Sequence, residues 1–217
     1  MRLVLLLAAL AVGSCQAGIP PLTTTPGRTD REFIKSLRDR TVMVTSYCDG
    51  KLAGSGSGVL LGGGWIVSAN HVVPYGCVAL VKGQLLMEMA RDAEADLVLM
   101  RSPALKSPPI RWSDPYLGQE VICVGWSLQR FTNLVGEQVT RGVYVADYSK
   151  RFRASCSWNS GSSGGPIFDK QGRLVGIAVS FFPPFNDEYL ATPAKAVEDL
   201  LNATITASAK SSPRLGR

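Results

Sequence analysis

A single histidine stands among 217 residues. That excludes any site built from two or three imidazoles, the histidine-rich zinc hydrolase centres among them. Charge is also sparse, at 18% of the chain, while 46% is hydrophobic, a balance of globular and not of disordered chains. Lys and Arg number 23 against 17 Asp and Glu, a net +6. This mild basicity suits a membrane surface or an acidic partner without singling out nucleic acid. No internal repeat is present. The longest apolar run, Leu3 to Val12, is too short for a stable membrane span.

That run follows Met1-Arg2 and precedes Gly13-Ser14-Cys15-Gln16-Ala17, the pattern of a signal peptide over residues 1–17. Val12-Gly13-Ser14-Cys15 also resembles a bacterial lipobox, in which Cys15 becomes a lipidated first residue and anchors the chain to a membrane. Cleavage after Ala17 is the competing reading, and either cut removes Cys15 from the mature thiol count. Cys48, Cys77, Cys123 and Cys156 remain. An even number in an exported chain, periplasmic or otherwise outside the cytoplasm, points to disulfides. Four cysteines allow three pairings and the sequence does not choose among them. One bridge per half, Cys48–Cys77 and Cys123–Cys156, is the expected arrangement. No two of the four are spaced as zinc ligands.

Residues 18–30 read as a Pro-stiffened linker. Asp30 is placed to cap a short helix with Phe33, Ile34 and Leu37 on one side and Arg31, Lys35 and Arg38 on the other, a solvated basic stripe. From Thr41 the pattern becomes short β-rich runs broken by Gly and Pro. The first group is Thr41–Tyr47, Gly58–Leu61, Trp65–Ser68, Cys77–Val81, Leu85–Met89 and Leu97–Arg101. After the bridge Ser102 to Pro115 comes the second: Glu120–Gly125, Val139–Asp147, Pro166–Phe168, Leu174–Phe182 and Tyr189–Thr192. Strands at this spacing indicate antiparallel barrels or sandwiches. Thr192-Pro193 reads as an N-cap and first helical residue opening a helix over Ala194–Asn202. Residues 204–217 read as a disordered tail. Lys150-Arg151-Phe152-Arg153, with Arg141, makes the second half basic, but a run this short reads as a solvated loop and not as a nucleic-acid site.

Gly161-Ser162-Ser163-Gly164-Gly165-Pro166 sits immediately before a strand. Its glycines permit a tight backbone in which N–H groups converge on one small space, able to hold the oxyanion formed when a hydroxyl attacks a carbonyl. Ser163 is the candidate nucleophile, with the N–H groups of Gly161 and Ser163 as donors. Such a hydroxyl needs a base, and His71, just beyond the apolar strand Trp65–Ser68, is the sole imidazole. A third group must fix its tautomer. Asp96, directly ahead of Leu97-Val98-Leu99-Met100, fits that role better than Asp92 or Glu94 in their polar stretch.

Together these blocks resemble the chymotrypsin-fold serine proteases, closest to the bacterial Deg-type (HtrA-like) peptidases. Gly56-Ser57-Gly58-Val59-Leu60 leading to Trp65–Val73 resembles the Gly-Ser-Gly strand and His block. Asp96–Leu99 resembles the Asp block, and Gly161–Pro166 with Gly172–Ile177 the Ser block and the strand behind it. The order His, Asp, Ser is that of chymotrypsin. The resemblance covers roughly residues 38–203. It implies an all-β fold of two antiparallel six-stranded β-barrels, about 38–102 and 116–192 within a domain of 31–203, with a short C-terminal helix over 193–202. It implies a serine endopeptidase acting on polypeptides: His71 as base and then acid, Asp96 orienting it, Ser163 forming an acyl-enzyme, and no metal or cofactor. Asn70 stands where many relatives carry Ala.

No Ile-Val-Gly-Gly segment suggests activation by a zymogen cut, and beyond Ala203 there is no room for a PDZ domain. By the same resemblance Ser157 lies near the base of the substrate pocket, with Ser180, Phe181 and Phe182 on one wall and Tyr189 with Leu190 on the other. Bulky walls imply small aliphatic substrates such as Ala or Val. Alternatively, Phe181, Phe182 and Phe185 are core or lid aromatics. The rival functions are a silent peptide-binding relative and a structural envelope lipoprotein. The presence of all three triad residues weighs against the first, and the second does not explain why the sole His and a strand-leading Asp fall in triad order.

Overall fold

The computed structural model describes residues 29–128, 135–181 and 189–211. The first apolar runs become strands because their alternating side chains fill one interior. They are β1 (Thr41–Cys48), β2 (Lys51–Gly62), β3 (Trp65–Ala69), β4 (Val78–Val81), β5 (Gln84–Asp92) and β6 (Leu97–Arg101). They close an antiparallel barrel in the order β1-β2-β3-β6-β5-β4. The second half supplies β7 (Glu120–Leu128), β8 (Val135–Tyr148), β9 (Arg151–Ala154), β10 (Pro166–Phe168), β11 (Leu174–Phe181) and β12 (Tyr189–Pro193). These close a second antiparallel barrel, β10-β11-β12-β9-β8-β7. The two-barrel, chymotrypsin-like fold expected from the sequence is the fold observed.

Val59, Ile66, Val67, Leu97 and Leu99 are fully buried in a cluster that continues into the second barrel through Ile122, Val124, Phe168 and Ile177. A separate cluster, with Phe152, Ile167, Val175 and Cys156, fills the second barrel. Disulfides join Cys48 to Cys77 and Cys123 to Cys156, one within each barrel, as expected. They point to an oxidising compartment outside the cytoplasm. Among the described residues no helix is long and apolar enough to cross a membrane. The segment 1–17, with Cys15, lies outside them.

Several local expectations are corrected. Helix α1 (Asp30–Arg38) is capped by Thr29 and not by Asp30. Thr29 Oγ1 accepts from the Glu32 N–H, and the Glu32 carboxylate accepts from the Thr29 N–H, a reciprocal pair that one residue further on could not form. Its basic face is solvated, as expected: Arg31, Lys35 and Arg38 are exposed, Lys35 pairing with Asp39 at 2.6 Å and Arg38 with Glu137 of β8. Strand β2 begins at Lys51, well ahead of Gly58. Lys150–Arg153 is no loop: Arg151–Ala154 is β9, paired with β8 and β12, and Phe152 inside it is fully buried. Thr192 belongs to β12 and gives its hydroxyl to the Ala95 carbonyl at 2.5 Å instead of capping a helix. Helix α2 runs Ala194–Ser211, longer than expected.

Candidate active site

Antiparallel pairing sets the first two candidate residues side by side. β3 and β6 run Trp65↔Arg101 to Ala69↔Leu97, so the end of β3 meets the start of β6. One step beyond, the Asn70 N–H donates to the Asp96 carbonyl at 3.0 Å, and a 3-10 turn, Asn70–Val72, swings His71 back. Asp96 has φ +54°, a left-handed conformation that Asp tolerates better than most residues. Its carboxylate accepts twice from His71: from the backbone N–H at 3.0 Å and in a pairing with Nδ1 at 2.7 Å. The Asp96 side chain is only 15% exposed, whereas that of His71 is 49% exposed and faces the cleft.

Ser163 comes from the loop before β10. Its carbonyl accepts from the Ser57 N–H of β2 at 2.7 Å, and the next residue, Gly164, donates to Ala178 of β11 at 2.7 Å. Gly164 has φ +85°, and a Cβ there would lie 2.0 Å from the Ser57 carbonyl oxygen, so only glycine lets the loop cross between the barrels at this point. His71, Asp96 and Ser163 line one cleft of about 740 Å³. No hydrogen bond joins Ser163 to His71.

The loop backbone is polarised. The Ser160 carbonyl accepts from the Leu128 N–H at 2.8 Å and the Ser162 carbonyl from Gly165 at 2.9 Å, both within the protein. A trans peptide directs its N–H opposite to its C=O. The N–H groups of Gly161 and Ser163 are therefore turned away from those bonds, and neither has a partner among the described residues. Gly161 takes φ +96° to allow this.

Sequence reasoning missed how much of the loop depends on Ser57. Its hydroxyl, fully buried, accepts from the Trp126 N–H at 2.7 Å and donates to the Gly161 carbonyl at 2.9 Å. Its own carbonyl accepts from the Ser68 hydroxyl at 2.6 Å. Asn70 was likewise unassigned; its side chain accepts from Arg91 Nη1 at 2.8 Å. Ser157 is exposed and absent from the cleft lining, its carbonyl turned to Gln138 and Thr140 of β8. The neighbouring Trp158, 5% exposed, lines the cleft instead. Ser180 and Tyr189 lie on the paired strands β11 and β12, while Phe182 and Phe185 lie outside the described residues. Of the other two carboxylates weighed, Glu94 pairs with Lys150 and Asp92 accepts from the Ala95 N–H. Among the described residues no three His, Cys, Asp or Glu side chains converge as a metal site requires.

A profile of the trypsin-like peptidase domain matches residues 56–177, from the Gly-Ser-Gly segment of β2 into β11. The chain belongs to the trypsin-like peptidase family. A search of curated proteins finds no match. Among solved structures, this peptidase domain is similar to the serine endoprotease from Yersinia pestis, with TM-score 0.68 and 22% identity over 80% of this chain and 65% of that one. It thus spans less than two thirds of the Yersinia chain. It is also similar to the active form of the Rv3671c protease from M. tuberculosis, with TM-score 0.66 and 15% identity over 78% of this chain and 82% of that one. At these identities the likeness is one of fold. The matched span of the trypsin-like peptidase profile holds His71, Asp96, Gly161 and Ser163.

Proposed function

We propose that the protein is a serine endopeptidase in which Ser163, His71 and Asp96 act as a triad. The observation that carries this reading is the 2.7 Å pairing of His71 Nδ1 with the shielded Asp96 carboxylate, in the same cleft as Ser163. That carboxylate keeps a proton on Nδ1 and leaves Nε2 as the acceptor. As Ser163 Oγ bonds to the peptide carbonyl carbon, its proton passes to His71 Nε2. The carbonyl oxygen becomes an oxyanion facing the N–H groups of Gly161 and Ser163, donors of the kind worth roughly 10²–10³ in rate each. His71 then protonates the leaving amine as the C–N bond breaks. Water, deprotonated by the same imidazole, releases the acyl group and restores Ser163.

Residues 1–17 are read as an export signal, ending either after Ala17 or before a lipidated Cys15. A fluorophosphonate probe tests the triad directly. The folded wild type is expected to label at Ser163, and Ser163→Ala and His71→Ala are expected not to. A folded wild type that takes no label would overturn the proposal in favour of a cleft that binds peptides without cutting them.

A further inference from the structure

Strand β9 alternates: Phe152 and Ala154 point into the second barrel, so Arg151 and Arg153 emerge on the other face. Arg151, at the strand's start, lines the same cleft as His71, Asp96 and Ser163. The bond from Thr192 of β12, the strand beside β9, to the Ala95 carbonyl holds this edge of the second barrel against the residues that lead into β6. Arg151 accordingly stands on the Asp96 side of the cleft, where its Nη2 donates to the Glu94 carbonyl at 3.3 Å.

The nearby carboxylate is already committed. Glu94 takes Lys150 Nζ at 2.5 Å, so Arg151 touches Glu94 only through its backbone. Arg151 has no ion pair among the described residues. Among the described residues, the other ionisable side chains lining the cleft are His71 and Asp96, and they are bound to each other. A guanidinium carries five donors in a planar fork suited to a carboxylate, and the Glu94 carbonyl uses one of them. The remaining donors face a cleft whose other lining, among the described residues, is of neutral groups such as Ser55, Asn159 and Ser160.

We propose that Arg151 is a specificity-determining residue that selects peptides carrying Asp or Glu close to the scissile bond. The substrate class so named rests on the peptidase reading above, but the recognition itself is a binding property and can be measured without turnover. An acidic side chain replaces the water around a half-buried guanidinium with a charge-assisted, two-pronged bond. A Gln or Asn at the same place keeps the shape and loses the charge.

Matched fluorogenic peptides, with Glu or Gln placed at each position around the cleaved bond in turn, give the test. At one position the wild type is expected to favour Glu by roughly tenfold in kcat/KM, less as salt screens the pair. The preference should vanish in Arg151→Gln, persist in Arg151→Lys, and turn towards a Lys-containing peptide in Arg151→Glu. Thermal melting establishes that each variant is folded. Fluorescence anisotropy of the same peptides on Ser163→Ala supplies the readout independent of catalysis. Tighter binding of the Glu peptide there, with no cleavage by the wild type, would sustain Arg151 recognition and sink the peptidase reading. Cleavage or binding that ignores the acid, or a preference unchanged in Arg151→Gln, would overturn the role of Arg151 and leave the peptidase reading intact.

Discussion

Ser57 offers three polar groups to one junction: its N–H to Ser163, its carbonyl to Ser68, and its hydroxyl to both Gly161 and Trp126. The hydroxyl fixes the peptide that follows Gly161, next to the N–H groups assigned to the oxyanion. Ser57→Ala leaves the Gly161 carbonyl and the Trp126 N–H without that partner in a partly buried place, each at about 1 kcal/mol. Part of that cost is relieved if the loop turns, and a turned loop misplaces its donors. The expected outcome is a kcat lower by roughly 10–100-fold with KM little changed, and a similar loss of affinity for a peptide boronate that mimics the oxyanion. Equal losses in kcat and in peptide binding to Ser163→Ala carrying the same change would show a general loosening instead. Nothing in Gly56-Ser57-Gly58 signals this role, since a serine between glycines reads as a spacer until the second barrel is placed against it. Likewise Ser157 and Trp158 differ by one position in a stretch without periodicity, so sequence had no means of deciding which of them faces the cleft.

Strands β3 and β6 were legible because each is a mostly apolar run, and their pairing, with the turn Asn70–Val72, brings His71 to Asp96. Strand β9 was not. Four residues with two arginines resemble a loop, although Arg-Phe-Arg-Ala alternates as a strand must and its single Phe is the signal. The turn that carries His71 is held by β5. There the Arg91 side chain, 6% exposed, donates to Asn70 and to the Val73 carbonyl, lies over the Tyr75 ring at 4.4 Å, and pairs with Glu88 at 2.6 Å. The bond from Arg91 holds the Glu88 carboxyl below its ordinary value. A depressed carboxyl contributes stability above the ordinary value, near 4.5, and loses it as pH falls through the folded-state value. Glu88 is partly exposed, so the effect is small. At neutral pH, Glu88→Gln should melt about 1–2 °C below the wild type. The gap between the two melting curves should narrow as pH falls through the lowered folded-state value of Glu88. A gap that persists in acid would show that Glu88 acts by packing and not by charge.

The two barrels share one apolar cluster across their interface, and α1 straps them further. Leu37 packs in that cluster, while Arg38 pairs with Glu137 and Asp30 with Arg141, both on β8. A shared core predicts a single unfolding transition. Replacing Cys123 and Cys156 by Ala should cost about 3 kcal/mol, lowering Tm by roughly 6–12 °C. The melt should stay single in calorimetry, and two resolved transitions would show barrels that unfold separately. The bridges themselves do not cross between barrels: the cysteines of each pair lie 29 and 33 residues apart, each pair within its own barrel. Cys48 and Cys77 precede Cys123 and Cys156 in the chain, so a polypeptide delivered amino end first exposes both partners of one bridge before either partner of the other. An oxidant joining these four thiols in order of arrival reaches the native pairing directly, with no wrong bridge to break and re-form.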